Sequence, residues 1–96
     1  MKMSNIEIGI ILEAKDAMAR MIVQDYILAH FVDKRDELPS FYTYVVWKSK
    51  ILQHYKYLVS SSLPDGMYYE VTYNADKDEW YLDVYKKFDK QRIPND

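Results

Sequence analysis

The chain has 96 residues, 15 acidic against 13 basic side chains, a formal charge of −2 and no cysteine. That length fits one domain with a modest core, and the missing thiols exclude disulfide scaffolds, cysteine nucleophiles, iron–sulfur clusters and thiolate zinc sites. The small negative charge argues against a whole-chain electrostatic grip on nucleic acid.

Residues 4 to 32 read as one long helix. Ser4 and Glu7 have the S-x-x-E spacing of a capping box, and the interior is rich in Ala, Leu, Met, Glu, Lys and Ile without proline. Glu13, Asp16, Arg20 and Gln24 mark a polar stripe, with Ile11, Met18, Ile22 and Ala29 opposite. Leu12, Val23, Ile27, Leu28 and Phe31 spread apolar surface further around the cylinder, which predicts cover on more than one side. A helix of that length spans about 42 Å, against about 27 Å for an eight-residue strand, so it should overhang its sheet unless it breaks at Gly9. A homodimer is the expected cover. The early charges Glu7, Glu13, Lys15 and Asp16 leave no signal sequence, and no uncharged run suits a membrane span. A cytoplasmic protein without membrane contact is expected.

Asp33 to Ser40 is a charged connection ending in Pro39-Ser40. From about 41 to 93 the pattern is a β-meander. In "FYTYVVWKSKIL", Tyr44, Val46, Lys48 and Lys50 alternate with Thr43, Val45, Trp47, Ser49 and Ile51. "QHYK" reads as the reversal and "YLVSSSL" as the second strand. Pro64-Asp65-Gly66 is a strong turn, because proline presets φ and glycine accepts positive φ. "MYYEVTYN" is the third strand and "EWYLDVYKKF" the fourth, with a brief continuation expected before Pro94. Short connections favour antiparallel pairing. The whole chain, 1–96, therefore reads as one α+β domain: a long N-terminal helix packed on a four-stranded antiparallel β-meander.

The last hairpin admits two registers. A two-residue loop at Asp76-Lys77 sets Glu70 beside Asp83, an unfavourable like-charge pair. A four-residue loop, Asn74 to Lys77, sets Glu70 beside Tyr81 and Tyr68 beside Asp83. The second is expected because it removes the clash. Were Glu70 and Asp83 to pair, they could share a proton or hold a hard metal.

No motif for chemistry survives inspection. Asp83 and Lys86 are three apart and point to opposite strand faces, whereas a metal-dependent nuclease needs acid and lysine two apart. His30 and His54 lack metal spacing, and Gly9 and Gly66 make no phosphate cradle. No catalytic residue, metal or cofactor is therefore assigned. The remaining candidate is a binding face of tyrosines and charges: Tyr44, Lys48, Tyr68, Glu70, Tyr81, Asp83, Tyr85 and Lys87, with Tyr42, Lys50 and Lys56 near it. Such a face can stack bases and hold phosphates, or dock a protein. Tyrosines are also ordinary strand residues.

Val45-Val46-Trp47, Leu52-Gln53, the run Pro64 to Asn74, Tyr81-Leu82-Asp83 and Tyr85-Lys86-Lys87 resemble a family of small uncharacterised proteins. That family is encoded by phages and prophages of low-GC Gram-positive bacteria. Ala75 departs from the glycine that often follows Asn74 there, which touches the turn type only. The resemblance implies a phage or prophage origin and a host-cytoplasmic setting, and it carries over no catalytic residue. The favoured expectation is a non-enzymatic accessory protein that binds a host or phage protein, followed by nucleic-acid binding and then by a small metal-dependent hydrolase using Glu70 and Asp83.

Overall fold

The computed structural model describes residues 5–30 and 38–95, with side chains from 14 onward. Helix α1 (Asn5–His30) is followed by strands β1 (Thr43–Ile51), β2 (His54–Ser61), β3 (Met67–Asn74) and β4 (Glu79–Lys86). The strands form one antiparallel sheet in the order β1-β2-β3-β4. The α+β architecture is thus as the alternation and short turns require. The Ser4–Glu7 capping box and most of the 33–40 connection lie outside the described residues.

The packed part of the helix is shorter than expected. Helix side chains are described from Ala14 to His30, and that run is about 25 Å long, close to the length of a strand. Over this run no overhang arises. Among the described helical residues, Ala19, Val23 and Ile27 are buried, spaced by four so that they lie along one line. Met18 and Ala29, expected on the apolar face, are exposed instead. The small Ala19 lets the helix backbone come close to the sheet, and Thr43 Oγ1 donates to the Arg20 carbonyl at 3.3 Å across the same contact.

Opposite the helix, Tyr57, Val59, Tyr69 and Val71 are buried. Val45, Met67, Trp80, Leu82 and Val84 pack around them. Each fully buried Val or Ile contributes about 2 kcal/mol by leaving water. Tyr26 of α1 meets the Tyr69 ring edge-on, centroids 5.8 Å apart.

Two connections differ from the sequence reading. The first reversal is the pair Leu52-Gln53, because Ile51 pairs with His54; "QHYK" belongs mostly to β2. Leu52 takes the left-handed φ of 58° that this tight turn demands. At the other end of β2, Gly66 has φ 70°. The Asp65 carboxylate accepts from Met67 N at 3.1 Å, as the Pro-Asp-Gly turn requires. The third connection is Ala75–Asp78, closed by Asn74 Oδ1, which accepts from the amides of Asp76 and Lys77. β4 stops at Lys86, one residue before the chain's last ladder bond, Lys87 N to Gly66 O at 2.8 Å. Phe88 and Ile93 beyond it are exposed and extend no strand.

Candidate functional site

The face of the sheet away from α1 carries most of the candidate residues. Its make-up depends on one irregularity in β1. Val45 pairs with Val59 and Trp47 with Leu58, so Val46 is an extra residue, a β-bulge. An extra residue reverses the alternation beyond it. Tyr44 stays on the outer face, but Trp47, Ser49 and Ile51 now join it. Lys48 and Lys50 move to the helix side. Lys48 Nζ lies 3.0 Å from Asp16 Oδ2 of α1, and Lys50 Nζ sits 5.8 Å from the Tyr55 ring centre. The expected placement of Lys48 on the binding face is therefore corrected.

The last hairpin also takes the register that seemed unfavourable. Glu70 pairs with Asp83, Thr72 with Tyr81 and Tyr68 with Tyr85. The four-residue loop exists, but it is Ala75–Asp78, one residue later than expected. The turn favours this register: Asn74 pairs with Glu79 at the end of the ladder, and its Oδ1 accepts from the amides of Asp76 and Lys77. Those bonds offset a like-charge pair that costs a few tenths to about 1 kcal/mol. Lys56 relieves part of the repulsion, its Nζ 3.2 Å from Glu70 Oε1.

Read across the sheet, the outer rows are Tyr44–Ser60–Tyr68–Tyr85, Trp47–Leu58–Glu70–Asp83 and Ser49–Lys56–Thr72–Tyr81. Glu70 and Asp83 thus sit in the middle row, with Tyr68 and Tyr85 on one side and Tyr81 on the other. Asp83 makes no hydrogen bond or ion pair among the described residues. Tyr85 is 52 % exposed, Tyr44 and Trp47 each 43 %, Tyr81 42 % and Tyr68 37 %, so the rings offer faces rather than filling a core. Tyr81 Oη donates to Glu79 Oε2 at 2.6 Å, a bond that raises the Tyr81 pKa above its ordinary value. Lys87 follows β4 and continues the outer alternation at the edge of the face. Trp47 is the functional candidate that alternation alone missed. Its signal was not local, since the bulge that turns it outward leaves no mark in the alternation; the same bulge brings Lys48 to Asp16 on α1.

At the far end of the sheet the His54 side chain approaches Asp76, with Nε2 to Oδ2 at 3.7 Å, and Gln53 donates to the same carboxylate. His30 Nδ1–H donates back to the Tyr26 carbonyl at 3.1 Å in the last turn of α1. Both histidines thus serve element ends. Among the described residues there is no cluster of three or more His, Cys, Asp or Glu side chains able to hold a metal. No described helix is long and apolar enough to cross a membrane.

Comparison with known families places this geometry. The family described as "Family of unknown function (DUF6275)" matches residues 14–95. The chain belongs to that family. The DUF6275 match takes in the packed part of α1 and all four strands, so the bulge, the Glu70–Asp83 pair and the tyrosine rows all lie inside it. Neither a curated protein nor a solved structure matches the chain.

Proposed function

We propose that this DUF6275 protein is a single-domain, non-enzymatic accessory module of phage or prophage origin, acting in the host cytoplasm, that docks a host or phage protein on its outer sheet face. The observation that carries the reading is the Glu70–Asp83 pair set among exposed aromatic rings. Aromatic-rich surfaces of this kind characterise protein interfaces. Lys56 serves Glu70, which leaves Asp83 to a partner's cation. The fitting partner presents an arginine or lysine between apolar side chains. Arginine suits best, since its planar fork can bond a carboxylate while stacking on Tyr81 or Tyr85.

The bulge supports a protein over a nucleic acid. By turning Lys48 and Lys50 to the helix side it strips two phosphate-binding cations from the face, and Glu70, Glu79 and Asp83 outweigh the Lys56 that remains in its centre. The phage setting rests on the resemblance of the hairpin residues. The test is capture of partners from the host with the native chain and with Asp83→Lys, followed by titration of the purified partner. Charge reversal should weaken binding by about tenfold or more. Unchanged binding, or perturbation confined to the helix side in NMR, would overturn the reading. A band shift with single-stranded or duplex DNA at moderate salt would favour the nucleic-acid alternative instead.

A second reading, homodimerisation, is favoured by the sheet edges. β1 is blunted by its bulge, whereas β4 is regular and carries no proline over Glu79–Lys86. An unblunted edge is a template for another strand. Pairing of β4 with β4 of a second copy leaves the outer face open to a partner. Sedimentation giving only the 11.5 kDa mass at high micromolar concentration would rule this out.

A further inference from the structure

On the opposite side of the sheet, a lysine sits inside a box of aromatic rings. Lys15 Nζ is 3.6 Å from the ring centre of Tyr73, 5.5 Å from that of Tyr55 and 5.9 Å from that of Trp80. All three lie within the roughly 6 Å over which a ring face attracts a cation. The rings hold one another: Tyr73 and Trp80 centroids are 4.8 Å apart, and those of Tyr55 and Tyr73 6.5 Å. We infer that Tyr55, Tyr73 and Trp80 form a recognition cage for a methylated ammonium group, with Lys15 as a resident stand-in that leaves when the ligand enters.

Several observations converge on that reading. Lys15 makes no ion pair among the described residues, so its charge is met by the rings. Tyr73 Oη donates to Asp78 Oδ1 at 2.6 Å, which enriches the ring in electron density. Asp78 ends the β3–β4 turn at a left-handed φ of 51°, a conformation that aspartate tolerates. Beside the cage lies a cleft of about 260 Å³ lined by Ala14, Lys15, Met18, Tyr73, Asp78 and Trp80. That is room for several water-sized groups, walled by the apolar Ala14 and Met18 and rimmed by the Asp78 carboxylate.

The chemistry selects the ligand. A lysine ammonium is compact and strongly hydrated, so it gives up much solvation to enter a cage. A trimethylammonium spreads the same charge over methyl groups and gives up less, which is why aromatic cages favour it. Lys15 holds the site only because its tether gives it a high effective concentration. The trimethylammonium could belong to a methylated lysine of a protein or to a choline group, and the cage recognises the head common to both. This inference concerns the helix side of the sheet and stands independently of the outer docking face.

The test follows the Trp80 indole N–H peak by NMR in the intact protein, which separates it from Trp47. Tetramethylammonium should shift this peak in Lys15→Ala at about tenfold lower concentration than in the native chain, because the tethered competitor is gone. In the native protein the Lys15 side-chain protons should lose their ring-current shift as ligand enters, a readout that needs no variant. A trimethyl-lysine peptide and phosphocholine, titrated in parallel, identify which source the surroundings of the cage prefer. Adding Trp80→Ala to Lys15→Ala should abolish the response at Tyr73. No indole shift in a folded Lys15→Ala protein, together with no loss of the native ring-current shift, would overturn the inference. So would equal binding of unmethylated and trimethylated lysine peptides.

Discussion

Lys48 of β1 bonds Asp16 of α1, Nζ to Oδ2 at 3.0 Å, and so ties the bulged strand to the helix. Asp16 is the less exposed partner, its side chain 25 % accessible, and its other oxygen has no hydrogen-bond partner. Lys48→Met keeps the apolar stem and removes the charge. It should destabilise the protein by about 1 kcal/mol, the upper range for a partly exposed pair. Salt screens the native pair, so the difference in urea midpoint should shrink as ionic strength rises. A difference indifferent to salt would mean that the pair contributes through packing alone.

Tyr57 lies directly beneath this pair. It is fully buried, and its hydroxyl finds no hydrogen-bond partner. Burial first, and then the neighbouring Asp16 carboxylate, push its pKa up to about 12; burial does the same for Tyr69. An acid whose folded pKa is raised keeps its proton in the native state after the unfolded chain has released it. The unfolded state then binds fewer protons, and stability falls as pH rises. The contribution of these two groups should therefore be level below about pH 10 and drop between about 10 and 12. Tyr57→Phe removes one of the two buried groups and an unpaired buried hydroxyl. It should leave stability at pH 8 unchanged or higher and make the alkaline loss shallower. Urea melts across that pH range, with tyrosinate absorbance as the monitor, measure both.

Leu52 occupies a left-handed conformation in a two-residue turn and is 83 % exposed. Its side chain contributes little packing while its backbone carries a steric cost of about 1–2 kcal/mol. Leu52→Asn, which tolerates that conformation, should raise stability by about 0.5–1 kcal/mol. A neutral or negative shift in thermal midpoint would show that the turn relaxes or that Leu52 packs in solution.

Asp83→Lys converts the central like-charge pair into an opposite pair with Glu70. Cross-strand charge complementarity is worth about 0.2–1 kcal/mol, so the variant should be slightly more stable than the native chain. The same variant should lose the docked partner. Higher stability with lower binding is the signature of a site held against its own local preference. Lower stability would indicate that Asp83 has an intramolecular role.

Much of the fold was legible because its signals are local. Pro64-Asp65-Gly66, the alternation of Tyr69, Val71 and Tyr73, and that of Trp80, Leu82 and Val84 each specify structure within a few residues. Three features were not. The Val46 bulge leaves the spacing of Lys48 and Lys50 unchanged in the sequence; only Asp16, 32 positions away, reveals which way they turn. The Glu70–Asp83 register looked unfavourable when the charges were weighed alone, yet the turn that Asn74 closes carries it. The helix face was misread because Ala19, small and unremarkable in the pattern, is fully buried against the sheet. Of the candidate face, the tyrosines and carboxylates were found, Lys48 was misplaced, and Trp47 was missed for the same reason.

The meander has a kinetic consequence. Every strand pairs with its neighbour in sequence, so each hairpin can close over a short loop, an event of microseconds. The helix must instead bring its buried line to the sheet across the whole 31–42 connection. The tyrosine rows need only the strands, whereas the core and the Lys15 cage need both layers. Pulse-labelled hydrogen exchange should accordingly find β2 and β3 amides protected before those of α1. If so, the tyrosine rows exist on a folding intermediate, and the proposed partner could engage the chain while its other side is still open.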